Sequence, residues 1–242
     1  MKVGIVISFY DEHYQVVESL DNIKNNYPDA CISMVHTDDE SGDENIEIIK
    51  EKSDFYETVD DLSKKYDRNS YQSRTISRNF SIGFSNLYNS QADFDLICAL
   101  TGDTLVKDST FLARIYYRMQ SEDKIAAISQ AIGQKFHAPE DDLITHYENR
   151  VQHETITDFM PQLFALEGTF ATATQCFADV EVTNAWTSEQ CLGDELSSQI
   201  TKYGREDFHG NIFRLNEENK FSAYHFHDGV TYHSKNNGTP GR

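Results

Sequence analysis

Basic residues are scarce in this chain. Its 242 residues include 21 Lys and Arg against 40 Asp and Glu, a formal net charge of -19. A nucleic-acid backbone is held by cationic side chains that displace phosphate counterions, so this balance excludes nucleic acid as a partner class. It equally speaks against docking on an anionic membrane through a polybasic patch. Cysteine is sparse too. Cys31, Cys98, Cys176 and Cys191 are widely spaced and contain no CxxC pair, which removes zinc ribbons and dithiol redox motifs. They read as small buried hydrophobes in a reducing compartment. Long apolar runs are missing. The run Val3–Ser8 meets Asp11 and Glu12 almost at once, too short for a signal-peptide core. No other stretch approaches the about 18 apolar residues of a membrane span. The sequence therefore predicts a cytoplasmic protein with no integral membrane segment. A glycine-rich phosphate cradle is absent as well. Phe9-Tyr10-Asp11 follows the first apolar run, with neither GxGxxG nor a Walker lysine. That removes dinucleotide-binding and P-loop readings, and it disfavours a nucleotidyltransferase.

What is present suffices for a sizeable core: 38% of residues are hydrophobic and 12% aromatic, unlike a disordered acidic chain. Val3–Ser8 is continuously apolar, as expected of a strand buried on both faces of a parallel sheet. Val16, Val17, Leu20, Ile23 and Tyr27 recur at helical spacing, and Pro28 ends that helix. Cys31–Val35 predicts a second strand, with a short helix around Ile46–Ile49 after an acidic loop. Tyr71–Tyr88 predicts a long helix, Leu96–Leu100 a buried strand, Phe111–Met119 a helix and Ile125–Ile128 a strand. Beyond Gly133 the pattern loosens. Ala138–Val151 reads as helical, Phe164–Phe177 is ambiguous, Ser188–Tyr203 is helical, and Asn211–Leu215 and Ser222–His227 read as closing strands. Alternating strands and helices predict an α/β fold with a mostly parallel sheet flanked by helices. No composition break divides it. The expectation is one domain over residues 1–234, with a nucleotide-binding half over about 1–105, an acceptor half over about 106–234, and a flexible tail at 235–242.

Ligands of open α/β sheets bind beyond the carboxyl ends of the strands. Carboxylates follow two of these strands: Asp38, Asp39 and Asp43 after the second, and Asp103 after Leu96–Leu100. Singly, each is an ordinary turn residue. Together they carry a family resemblance. Ser8-Phe9-Tyr10-Asp11-Glu12 is a short loop after the first strand, and Asp38-Asp39-Glu40-Ser41-Gly42-Asp43 fits a D-D-x-S-x-D pattern. Ser77-Arg78-Asn79-Phe80-Ser81-Ile82-Gly83 is similar to an R-N-x-G helix, and Leu100-Thr101-Gly102-Asp103-Thr104 to a strand ending in D-x-D. Gly168-Thr169, then Asp194-Glu195, then His225 and His227 complete the order. This sequence of features resembles the GT-A glycosyltransferases, particularly the family 2 group that uses nucleotide-sugars, over nearly the whole chain. Thr101 stands where D-x-D has its first Asp, and Asp194-Glu195 reverses the usual E-D order.

The resemblance implies transfer of a sugar from a UDP- or GDP-sugar to a glycan or other hydroxyl acceptor. It implies a Mn²⁺ or Mg²⁺ ion on the diphosphate and inversion at the sugar. Hard cations take carboxylate oxygens and Mn²⁺ also accepts imidazole, so Asp103 with His225 or His227 are the expected ligands. Strand period places both histidines on one side. Ser8, Tyr10, Glu12, Asp38, Asp39, Arg74, Arg78, Asn79, Thr101, Gly102 and Asp103 are the expected nucleotide-sugar contacts. Arg74 and Arg78 are one helical turn apart. Gly168, Thr169 and Trp186, the single tryptophan, are expected at the acceptor. Asp194 or Glu195 would be the general base that accepts the acceptor proton. The alternative is a GT-A-like protein that binds a nucleotide-sugar or glycan without turnover, which Thr101 would favour.

Overall fold

The computed structural model describes residues 1–10, 13–37, 44–60, 68–90, 92–102, 104–106, 109–121, 125–129, 133–134, 163–174, 198–209, 214–215, 220–221 and 223–225. Its strands are β1 (Val3–Phe9), β2 (Cys31–Thr37), β3 (Phe55–Val59), β4 (Leu96–Thr101), β5 (Thr104–Val106), β6 (Ile125–Ser129), β7 (Gly133–Gln134), β8 (Leu163–Glu167), β9 (Glu206–His209), β10 (Arg214–Leu215), β11 (Lys220–Phe221) and β12 (Ala223–His225). Its helices are α1 (His13–Asn26), α2 (Glu44–Lys52), α3 (Arg68–Asn89), α4 (Phe111–Ser121) and α5 (Gly168–Thr174), with a further helical segment at 198–202.

Seven strands form one sheet in the order β3-β2-β1-β4-β8-β6-β9. β1 is parallel to β2 and β4, β2 to β3, and β6 to β9, whereas β8 runs antiparallel to both β4 and β6. The architecture is the expected α/β one: a mixed, mostly parallel, helix-flanked sheet. Alternation along the strands sends two hydrophobic sets to opposite faces. Ile5, Ile7, Ile32, Met34, Leu96, Cys98 and Leu100 join Val16, Leu20 and Ile23 of α1, Ile49 of α2 and Phe111, Leu112, Ile115 and Met119 of α4. Val6, Ile97, Ala99 and Leu166 join Phe80, Phe84 and Leu87 of α3, Phe170 of α5 and Ile200. β1, β4, β6 and β8 thus supply both cores, which explains the unbroken apolar runs.

The chain winds outward from β1 to β3, then returns through α3 to β4 on the other side of β1. The crevice between the carboxyl ends of β1 and β4 is therefore the topological switch point. A small sheet, β5-β12-β7, lies just past the end of β4 in sequence.

Several elements differ from expectation. β3 was not anticipated: it is an edge strand with only partly buried side chains and Glu57 in its centre. The ambiguous stretch from Phe164 resolves into a strand followed without a turn by a helix, β8 and α5. Glu167 makes that junction possible. Its carboxylate accepts from Thr169 N at 3.0 Å and Phe170 N at 2.9 Å, capping the first turn of α5. Of the expected strand Ser222–His227 the structure describes Ala223–His225, as β12. The expected helix Ala138–Val151 and the tail 235–242 lie outside the described residues, as does the first part of the expected helix Ser188–Tyr203. Among the described residues no helix is long and apolar enough to cross a membrane.

Candidate functional site

Ser8 is the last but one residue of β1. Its Cα pairs with Val35 of β2 on one side and with Thr101 of β4 on the other. Parallel pairing thus brings Ser8 and Thr101 side by side, although 93 positions separate them in the chain. The next residue, Gly102, donates its backbone N–H to Ser8 O at 2.9 Å, which folds the end of β4 over the end of β1. A side chain does not fit there. A Cβ on Gly102 would lie 2.6 Å from Phe9 Cβ and 2.7 Å from Val16 Cγ2. The glycine of the expected Thr-Gly-Asp motif is therefore required by close approach to β1 and α1.

α3 crosses the same rim. Asn79, 1% exposed, donates both amide hydrogens, to Ser8 Oγ at 3.0 Å and to Thr37 Oγ1 at 2.8 Å. It therefore fastens the ends of β1 and β2, and its amide hydrogens are turned into the protein. Arg78, 5% exposed, donates from Nη2 to the Asp60 carbonyl at 2.7 Å, tying α3 to the residue after β3. Its Nε also reaches Asn79 Oδ1 at 3.5 Å. Tyr10 follows β1 directly at this rim and is partly exposed.

β5 begins at Thr104 and pairs antiparallel with β12, setting His225 directly opposite Thr104. The backbones of a directly opposed pair lie about 4.5–5.5 Å apart. His225 is thus held opposite Thr104, across 121 positions of sequence. Of Arg74 the structure describes the backbone, in α3.

One pair of expected contacts is not brought to this rim. Gly168 and Thr169 stand at the opposite end of the sheet, because β8 is antiparallel. Its register pairs Leu163 with Leu100 and Glu167 with Leu96, so α5 starts beside the amino end of β4. Gly168 N donates to Asp95 O at 3.0 Å, and a Cβ there would lie 1.7 Å from Phe94 O. The length of β4 puts this glycine roughly 17–20 Å from the Thr101 end. In this place the glycine serves strand-to-helix packing.

Glu12, Asp38, Asp39, Asp103, Trp186, Asp194, Glu195 and His227 lie outside the described residues. Among the described residues no group of three or more His, Cys, Asp or Glu side chains comes together to hold a metal ion. Sequence reasoning missed three residues at the rim: Thr37, His36 and His13. Thr37 shares Asn79 with Ser8. His36 and His13 are buried, and their Nε2 atoms lie 3.3 Å apart. A polar residue closing an otherwise apolar strand was the available signal for His36 and Thr37.

No protein-family model and no curated protein matches the chain. Among solved structures it is similar to the mannosyltransferase PcManGT from Pyrobaculum calidifontis in complex with GDP-Man and Mn²⁺. The TM-score is 0.49 and the identity 14% over 87% of this chain, which spans about half, 55%, of that one.

Proposed function

We propose that this chain is a glycosyltransferase. It moves a sugar from a nucleoside-diphosphate sugar to an acceptor hydroxyl, with inversion and with a divalent cation at the diphosphate. The observation that carries this reading is the rim at the β1/β4 switch point. There Ser8, Thr101 and Gly102 meet, Asn79 and Arg78 arrive from α3, and β12 holds His225 opposite Thr104.

In this reading Asp38 and Asp39, next after Thr37, accept hydrogen bonds from the nucleoside. Tyr10 and Glu12 border it, Arg74 is the cation offered to the diphosphate, and Arg78 contributes by holding α3 to the end of β3. Asn79 contributes by positioning Ser8. Asp103 with His225 or His227 would hold Mn²⁺ or Mg²⁺; the carboxylate suits either ion and the imidazole favours Mn²⁺. When bound, such a cation stabilises the charge that develops on the departing diphosphate. Asp194 or Glu195 accepts the proton of the acceptor hydroxyl as its oxygen bonds to the anomeric carbon. The bond from that carbon to the diphosphate breaks, and the nucleoside diphosphate leaves. Trp186 would stack on the acceptor sugar.

The test is calorimetric titration of UDP and GDP with and without Mn²⁺, paired with donor-hydrolysis and transfer assays of the wild type, Asp194→Asn and Glu195→Gln. The expected result is metal-enhanced binding of one nucleotide and turnover that one of the two variants abolishes. Absence of nucleotide binding under both conditions overturns the reading. Binding without turnover in any form overturns its catalytic part.

A further inference from the structure

His36 touches both ends of the connection that leads from β1 into α1. Its ring lies flat on Phe9, the last residue of β1, with centroids 4.6 Å apart and planes within 4°. Its Nε2 lies 3.3 Å from Nε2 of His13, the first residue of α1. Its other ring nitrogen, Nδ1, lies 2.9 Å from the Tyr56 hydroxyl of β3. Phe9, His13 and His36 are each under 5% exposed. The three polar groups form a chain with two consistent directions. If the Tyr56 hydroxyl donates to Nδ1, His36 Nε2–H donates to His13. If His36 Nδ1–H donates to Tyr56, His13 Nε2–H donates to His36.

A buried imidazole with both nitrogens engaged has its rotamer fixed. That sets Phe9, at the end of β1, against His13, at the start of α1. The neighbouring residue, Thr37, points to the other face, where Asn79 holds it. Consecutive residues of β2 thus pin the rim from both sides of the sheet.

We infer that His36 is a positioning residue for the end of β1 and the start of α1. It presents Tyr10, next after Phe9, in the geometry that binds the nucleotide. It acts on donor affinity and not on the transfer step. This inference rests on the glycosyltransferase reading above.

The decisive variant is His36→Phe, which keeps a ring against Phe9 and removes both nitrogen bonds. Hydrogen exchange of the free protein should rise at the amides between Phe9 and His13. The dissociation constant for UDP or GDP should rise about tenfold. The rate at saturating donor should stay within about twofold of wild type, because the lost term is binding common to ground and transition states. Tyr56→Phe, which removes one bond at an edge strand, should show the same pattern at smaller amplitude. It serves as the second variant if His36→Phe fails to fold. Unchanged exchange overturns the inference. So does raised exchange with unaltered affinity, or a saturating rate that falls as far as affinity does. A wild type that binds neither nucleotide overturns the functional reading instead, while exchange still reports on the His36 bracket.

Discussion

Asn79 of α3 and Thr37 of β2 are joined by a 2.8 Å hydrogen bond, from Asn79 Nδ2 to Thr37 Oγ1, across 42 residues of chain. The same nitrogen reaches Ser8 Oγ. An amide with two hydrogens can serve both hydroxyls at once, and no shorter or aliphatic side chain can.

Asn79→Ala should therefore destabilise the fold by about 2 kcal/mol, since it strips buried hydroxyls of a donor and leaves a small void. Asn79→Asp should do at least as much harm, because a carboxylate offers the hydroxyls no hydrogens and is buried. Urea denaturation checks both. An Asn79→Asp protein as stable as wild type would contradict the donor assignment.

The two closely approached glycines should separate stability from binding. Gly168→Ala meets the Phe94 carbonyl, which is backbone and cannot step aside, so a loss of about 3 kcal/mol or more is expected. Gly102→Ala meets Phe9 Cβ, which the backbone holds in place, and the Val16 methyl, for about 3 kcal/mol. Under conditions where both are folded, Gly168→Ala should retain nucleotide affinity and Gly102→Ala should lose it. Melting curves and nucleotide titrations measure the two effects.

Asp103→Ala should abolish the dependence of nucleotide binding on Mn²⁺. His225→Ala should weaken it by about tenfold or more in apparent metal affinity. Titrating Mn²⁺ at fixed nucleotide reads both. Metal-dependent binding that survives Asp103→Ala would remove that residue from the ligand set.

Cys98 supplies a pH test. Complete burial in β4 pushes its thiol well above the ordinary value of 9.0, so the folded protein holds it protonated. The unfolded chain releases that proton at the ordinary value. The stabilisation is therefore full below about pH 9 and is lost progressively as pH rises further. Cys31 is half-buried, and burial followed by the nearby Asp54 carboxylate raises its thiol as well. Native protein at pH 8 should react with a thiol reagent slowly at Cys31 and not at Cys98, as peptide mapping would show. Labelling of Cys98 without unfolding would contradict the burial.

Much of the fold was legible because its sheet is buried on both faces. Val3–Ser8 and Leu96–Leu100 are unbroken apolar runs for that reason, and α1, α3 and α4 show their stripes plainly. β3 was not legible because it is an edge strand whose side chains are half wet, so neither alternation nor a continuous run survives. Ser8, Thr101 and Gly102 were named through the family resemblance, and register brings them together. Asn79 was found too, but as a ligand contact. That both its hydrogens are engaged by Ser8 and Thr37 depends on where α3 crosses the strands, which no local pattern carries. The place of Gly168 and Thr169 was not legible for a related reason. Order along a chain does not reveal strand direction, and the reversed β8 carries them to the far end.

That single reversed strand also decides which rim receives the chain between β6 and β8. In an all-parallel sheet, a connection leaves one rim and must cross a face to re-enter at the other. Here the chain exits at Ser129 and re-enters at Leu163 on one and the same rim, the one that carries Ser8 and Thr101. Leu163 stands beside Leu100 at the end of β4, and Ser129 one strand farther along the same rim. The antiparallel strand thus sets both ends of that connection on one edge of the sheet.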